Sequence, residues 1–138
     1  MEFSIVIPAR YASSRLPAKL LKDINGKTLI EHTYLNAMKS NAKRVIIATD
    51  DERIKSVVND FGAEVCMTSR IHTSGTSRLS QVVSDLNFDD EETIVNLQGD
   101  EPMMAPESIN QVASNLTTSG MSVATLCEKI NSQEEYFD

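Results

Sequence analysis

Ten residues, Arg10-Tyr11-Ala12-Ser13-Ser14-Arg15-Leu16-Pro17-Ala18-Lys19, hold three cations, two serines and no acid. An arginine offers a planar fork to two phosphate oxygens, whereas a lysine acts as a mobile point charge. Serine hydroxyls and free backbone N–H groups add further donors. The chain as a whole has 13 basic and 20 acidic residues, a net charge of −7. A basic loop in an acidic chain suits a compact polyanion such as a triphosphate. The overall charge argues against nucleic acid as the partner. The other reading is a solvated surface connection. A Walker loop is excluded, because the Gly-rich body and its Gly-Lys-Ser/Thr ending are missing.

A second segment, Gln98-Gly99-Asp100-Glu101-Pro102, follows an apolar run. There the Asp100 carboxylate could hold Mg²⁺, a hard cation that prefers oxygen ligands and keeps several waters. Gly99 would let a ligand approach the backbone. Its alternative is a turn whose aspartate caps the next element. In a third segment, Ile71-His72-Thr73-Ser74-Gly75-Thr76-Ser77-Arg78, the hydroxyls, Gly75 and Arg78 suit a base or a phosphate. Asp50-Asp51-Glu52 reads more simply as the capped start of a helix. His32 has no partner at ligand spacing. No Ser-His-Asp or Cys-His arrangement emerges, and Cys66 and Cys127 read as core residues.

These segments need elements to hold them. Residues 3–9, rich in Ile and Val, predict a central parallel strand buried on both faces. Residues 45–48, 64–67, 93–97 and 123–127 predict four more. Between them, Thr28 and Glu31 form a capping box before Leu29, Ile30, Thr33, Tyr34, Ala37 and Met38 on one helical face. Ile54, Val57, Val58 and Phe61 make a second helix, stopped by Gly62. Leu79, Val82, Val83 and Leu86 make a third. Ile109, Val112, Ala113 and Leu116 make a fourth, with Pro106 in its first turn. Alternation of this kind predicts one α/β domain over residues 1–138, a three-layer α/β/α sandwich on a mainly parallel sheet. Ligands of such sheets bind beyond the carboxyl ends of the strands. The basic loop, Asp50-Asp51 and Gln98–Glu101 all fall there.

The composition, 41% hydrophobic and 24% charged, is that of an ordinary soluble domain. No apolar run reaches the roughly 20 residues of a membrane span. The first residues lack a secretory signature, and the cysteines show no disulfide framework. A cytoplasmic protein with reduced thiols is the expectation.

Taken together, the segments resemble the 3-deoxy-D-manno-octulosonate (KDO) cytidylyltransferases. The matching stretches are residues 7–17, 23–27, 45–50, 74–76 with Arg78-Leu79, and 95–102, in the family's order. The resemblance implies a Rossmann-like nucleotidyltransferase fold and transfer of CMP from CTP to KDO with release of pyrophosphate, in lipopolysaccharide biosynthesis. It implies that Arg10 and Lys19 hold the CTP phosphates and that Asp100 binds Mg²⁺. Ala9, Arg15, Ser74, Gly75 and Arg78 would contact the nucleotide, Gln98 would face the sugar acid, and the enzyme would be a homodimer. Three positions depart from the pattern: Ala18 stands for a usual glycine, Leu20 for a common proline and Ser77 for an acid. The last departure predicts that Arg78 loses an orienting partner. Family members also continue well past Asp138, so the chain is expected to be the N-terminal part of a longer enzyme that binds CTP but turns over little. The rival readings are an enzyme for amino-KDO or sialic acid, and a non-catalytic CTP-binding module.

Overall fold

The structure, a computed structural model, describes residues 3–10, 19–69, 75–88, 92–119 and 123–125. Five parallel strands form its sheet: β1 (Phe3–Ala9), β4 (Arg44–Thr49), β5 (Glu64–Met67), β6 (Thr93–Asn96) and β7 (Val123–Thr125), in the order β5-β4-β1-β6-β7. Two further short strands, β2 (Asp23–Ile24) and β3 (Lys27–Thr28), pair antiparallel as a separate hairpin. The helices are α1 (Leu29–Met38), α2 (Glu52–Asp60), α3 (Gly75–Asp85) and α4 (Pro106–Ser119).

Alternation along the strands sorts the core into two layers. Phe3, Ile5, Ile7 and Ala9 of β1, with Val45, Ile47, Val95 and Leu97, meet Leu29 and Ile30 of α1, Ile54 and Val58 of α2, and Ile109 and Ala113 of α4. On the other face Val6, Ile46, Ala48, Cys66 and Ile94 meet Leu79 and Val82 of α3. All seven positions of β1 are buried, as its run of Ile and Val predicted. The sheet is thus covered on both faces, and the three-layer expectation holds.

Local signals explain the boundaries. Thr28 caps α1 by accepting the Glu31 N–H at 3.3 Å. Gly62 takes φ +81°, and the N–H groups of Gly62 and Ala63 return to the carbonyls of Asn59 and Val58. That is a Schellman ending, and it places Ala63 on the same core as Val58. The hairpin went unread in the sequence, although Asn25 and Gly26, at φ 56° and 90°, are the residues a two-residue turn of this kind demands. Met38 departs from the expected apolar face: it lies at the end of α1 and is exposed. Residues 126 and 127 of the fifth predicted strand, and Cys127 with them, lie outside the described residues.

Asp51 caps α2, accepting the N–H groups of Arg53 and Ile54 at 2.8 and 3.4 Å. The Arg53 side chain and these N–H groups outweigh burial and hold the Asp51 carboxyl below its ordinary value. A depressed carboxyl stabilises the fold above its unfolded pKa of about 3.9 and loses that contribution as pH falls through the folded value. Asp51→Ala should therefore cost about 1 kcal/mol at pH 7, and urea titrations should show the deficit shrinking below about pH 4.

Candidate active site at the strand ends

From β1 the chain builds outward to β4 and β5, then returns to lay β6 on the other side of β1. Strand order reverses between β1 and β6, and in open α/β sheets that is where ligands bind. Two of the sequence-predicted residues meet here. Ala9 ends β1, buried, and Arg10 follows it exposed at the rim. Lys19 then opens a short 3₁₀ turn, Lys19–Leu21, whose Leu20 is buried in the larger core layer. From the far side, Asp100 follows β6. Lys19 Nζ donates to Asp100 Oδ2 at 3.1 Å, joining residues 81 apart in sequence.

The backbone beneath this pair is locked. Leu97 N–H bonds the Val6 carbonyl at 3.0 Å, and Glu101 N–H closes a turn onto the Gln98 carbonyl at 3.1 Å. Thr33 Oγ1, on α1, donates to the Gly99 carbonyl at 2.7 Å. A Cβ on Gly99 would sit 3.1 Å from the Pro8 carbonyl oxygen, 3.1 Å from Leu20 Cδ1 and 3.3 Å from Ile30 Cδ1. A side chain here would crowd the protein's own core, a reason for glycine that stands beside the expected approach of a ligand to this backbone. It is this contact that seats the Lys19 turn against the Asp100 turn. Gly99→Ala should cost about 1–3 kcal/mol through overpacking, seen as a fall of several degrees in Tm, since the Pro8 backbone cannot yield as a side chain would.

Asp100 does not cap the next helix; its partner is Lys19. The adjacent Glu101, placed at the strand ends by the sequence but given no role of its own, is half-buried. Its carboxyl is pushed up by burial first and by the Asp100 charge second, with Lys19 opposing. Gln98, half-buried, gives its carbonyl to the turn. Among the described residues no group of three or more His, Cys, Asp or Glu side chains stands ready for a metal.

Arg78, on α3, is 1% exposed. Its Nη1 donates to Thr68 Oγ1 at 2.5 Å and its Nη2 to Asp50 Oδ2 at 3.2 Å, while its buried Nε has no partner among the described residues. The expected loss of an orienting partner is thus corrected: Asp50 and Thr68 hold the guanidinium at the ends of β4 and β5. The sequence separated Asp50 too little from its neighbour, for Asp51 is the cap and Asp50 is the ion-pair partner. Gly75 opens α3. Arg15, Ser74, His72 and the Ala18 position lie outside the described residues. His32 gives Nε2 to the Ile24 carbonyl at 2.6 Å, a structural bond between α1 and the hairpin. Asn96, the last residue of β6, is fully buried with both amide atoms unpaired, and no described residue accounts for it.

Residues 4–138 match the family described as cytidylyltransferase. The chain belongs to the cytidylyltransferase family. Among similar proteins, a 3-deoxy-manno-octulosonate cytidylyltransferase of Ruthia magnifica subsp. Calyptogena magnifica is 64% identical over all 138 residues, which cover 57% of that relative. The enzyme of the same name from Haemophilus influenzae (strain PittGG) is 54% identical, again over the whole chain and 54% of the relative. The chain therefore spans a little over half the length of the curated relatives it matches. A solved CMP:2-keto-3-deoxy-manno-octonic acid synthetase complexed with CTP superposes with a TM-score of 0.79 at 42% identity, covering 86% of this chain and 48% of that chain. A nucleotidyl transferase from Methanothermobacter thermautotroptrophicus, 22% identical with a TM-score of 0.68 over 81% of this chain and 56% of its own, shares the fold. The Rossmann-like nucleotidyltransferase expectation holds, and no helix among the described residues is long and apolar enough to cross a membrane.

Proposed function

We propose that this chain is the CTP-binding portion of an enzyme that transfers CMP from CTP to KDO and releases pyrophosphate. The observation that carries the reading is the meeting of Lys19 and Asp100 where strand order reverses: a cation of a type suited to phosphate beside a carboxylate of a type suited to a divalent metal. The names of the relatives and of the CTP-bound structure support the nucleotide and the sugar acid.

The donor set fits Mg²⁺. Asp100 is 40% exposed in its side chain, Glu101 adjoins it, and no third protein ligand stands with them among the described residues. A cation held by one or two carboxylates, with substrate phosphates and water completing its shell, matches magnesium better than a protein-only cage does. When bound, it would neutralise charge on the phosphates and the departing pyrophosphate. Lys19 and Arg10 would grip the triphosphate from the β1 side, with Arg15, Ala9, Ser74 and Gly75 completing the nucleotide contacts. Gln98, at the end of β6, would face the sugar acid. Arg78 would act from beneath, since its two terminal nitrogens are already engaged. With the α-phosphorus held in line for the anomeric hydroxyl of the sugar, positioning and charge neutralisation supply the catalysis, and no protein nucleophile is needed.

The homodimer and the place in lipopolysaccharide biosynthesis belong to the same proposal and rest on the resemblance, while the cytoplasmic location rests on the first residues and the cysteine usage. That residues 1–138 form one domain is proposed from the alternation of strands and helices; that it binds the nucleotide within a longer enzyme is proposed from the resemblance. The test is product analysis with the full-length protein, CTP, Mg²⁺ and KDO: stoichiometric CMP–KDO and pyrophosphate support the assignment. Turnover of sialic acid or an amino-KDO in preference to KDO would replace the acceptor, and CTP binding without turnover of any acceptor would leave a binding module.

A further inference from the structure

Lys19 and Asp100 are each other's partner among the described residues, both with side chains close to half exposed. On the function proposed above their ligands differ: the triphosphate takes Lys19 and the divalent cation takes Asp100. A nucleotide arriving without metal draws Lys19 away and leaves Asp100 beside Glu101, two neighbouring carboxylates with no cation. A metal arriving alone draws Asp100 away and leaves Lys19 unpaired. When both are present each side chain exchanges one partner for another, and the ion pair is broken only once.

We propose that the Lys19–Asp100 pair couples the two ligands, so that the divalent cation and the nucleotide each raise the affinity for the other. The inference rests on the proposed CTP site. The scaffold supports an exchange of side chains alone. Leu20 packs on Gly99, and Thr33 holds the Gly99 carbonyl, so the backbones that carry the two partners stay together while the side chains swing. Coupling of this kind is reciprocal, because the same broken contact enters both binding equilibria.

The sign of the effect makes the proposal testable. An exposed pair of this geometry corresponds to roughly a two- to fivefold change in affinity. Mn²⁺ binding, read by electron paramagnetic resonance without nucleotide, should become about two- to fivefold tighter in Lys19→Met, because Asp100 is released. Lys22→Met removes the same charge three residues away, from an exposed side chain, and should leave Mn²⁺ affinity unchanged. In calorimetry, Asp100→Asn should likewise tighten metal-free CTP, and the gain in Mn²⁺ affinity on adding CTP should shrink in Lys19→Met. Unchanged or weaker Mn²⁺ binding in Lys19→Met, or an equal gain in Lys22→Met, would overturn the coupling. Failure of the unaltered chain to bind CTP even with Mn²⁺ would remove the function beneath it, a separate outcome read in a separate titration.

Discussion

Asp100→Asn in a full-length cytidylyltransferase carrying this sequence should lower kcat for CMP transfer by about 10²–10³-fold, the loss typical of one group that stabilises developing charge. The same change should move the thermal midpoint by a few degrees at most. Its one described partner is Lys19 at 3.1 Å, and both side chains are substantially exposed, so the pair contributes no more than about 1 kcal/mol to stability. Asparagine keeps the size of the side chain and leaves the turn intact, since that turn is held by the Glu101 N–H, the Gly99 carbonyl and the packing under Gly99. Activity and stability are therefore expected to separate at this residue. A loss of activity matched by an equal loss of folded protein would assign Asp100 a structural role instead.

The opposite separation is expected at Asp50. Arg78 is buried to 1% exposure and depends on Asp50 for its counter-charge. Among the described residues its Nε has no acceptor. Asp50→Ala strands a buried cation and should cost about 3 kcal/mol, measured by denaturant titration. Arg78→Met should cost less, because it removes the buried charge together with its desolvation and fills the space with apolar atoms, while Asp50 retains some exposure to water. If the arginine variant proved the more damaging of the two, the ion pair would not be what holds α3 to the ends of β4 and β5.

The frame of the molecule was legible because it is written in periodicity. The Ile- and Val-rich run of β1 and the apolar stripes of α1 to α4 each state which face is buried, and Gly62 states where α2 stops. The site was legible in part. Lys19 and Asp100 are of the right types at the ends of the right strands, but their contact depends on a crossover that brings residues 81 apart together, which no local pattern encodes. Asp50 and Asp51 could not be told apart by type; only the packing of α3 gives one of them an arginine. The crowding around Gly99 is not legible locally, since the Leu20, Ile30 and Pro8 atoms near it come from three other segments. Thr33 and Glu101 carried no signal beyond a polar residue on an apolar stripe and a second acid after the first.

Whether the Lys19 and Asp100 turns form the proposed CTP site is read most directly by a calorimetric titration of this chain with CTP in the presence of Mg²⁺. Saturable binding of one CTP per chain is expected, weakened about tenfold or more in Lys19→Met through loss of a charged hydrogen bond to phosphate. No binding, or an affinity that Lys19→Met leaves untouched, would contradict it.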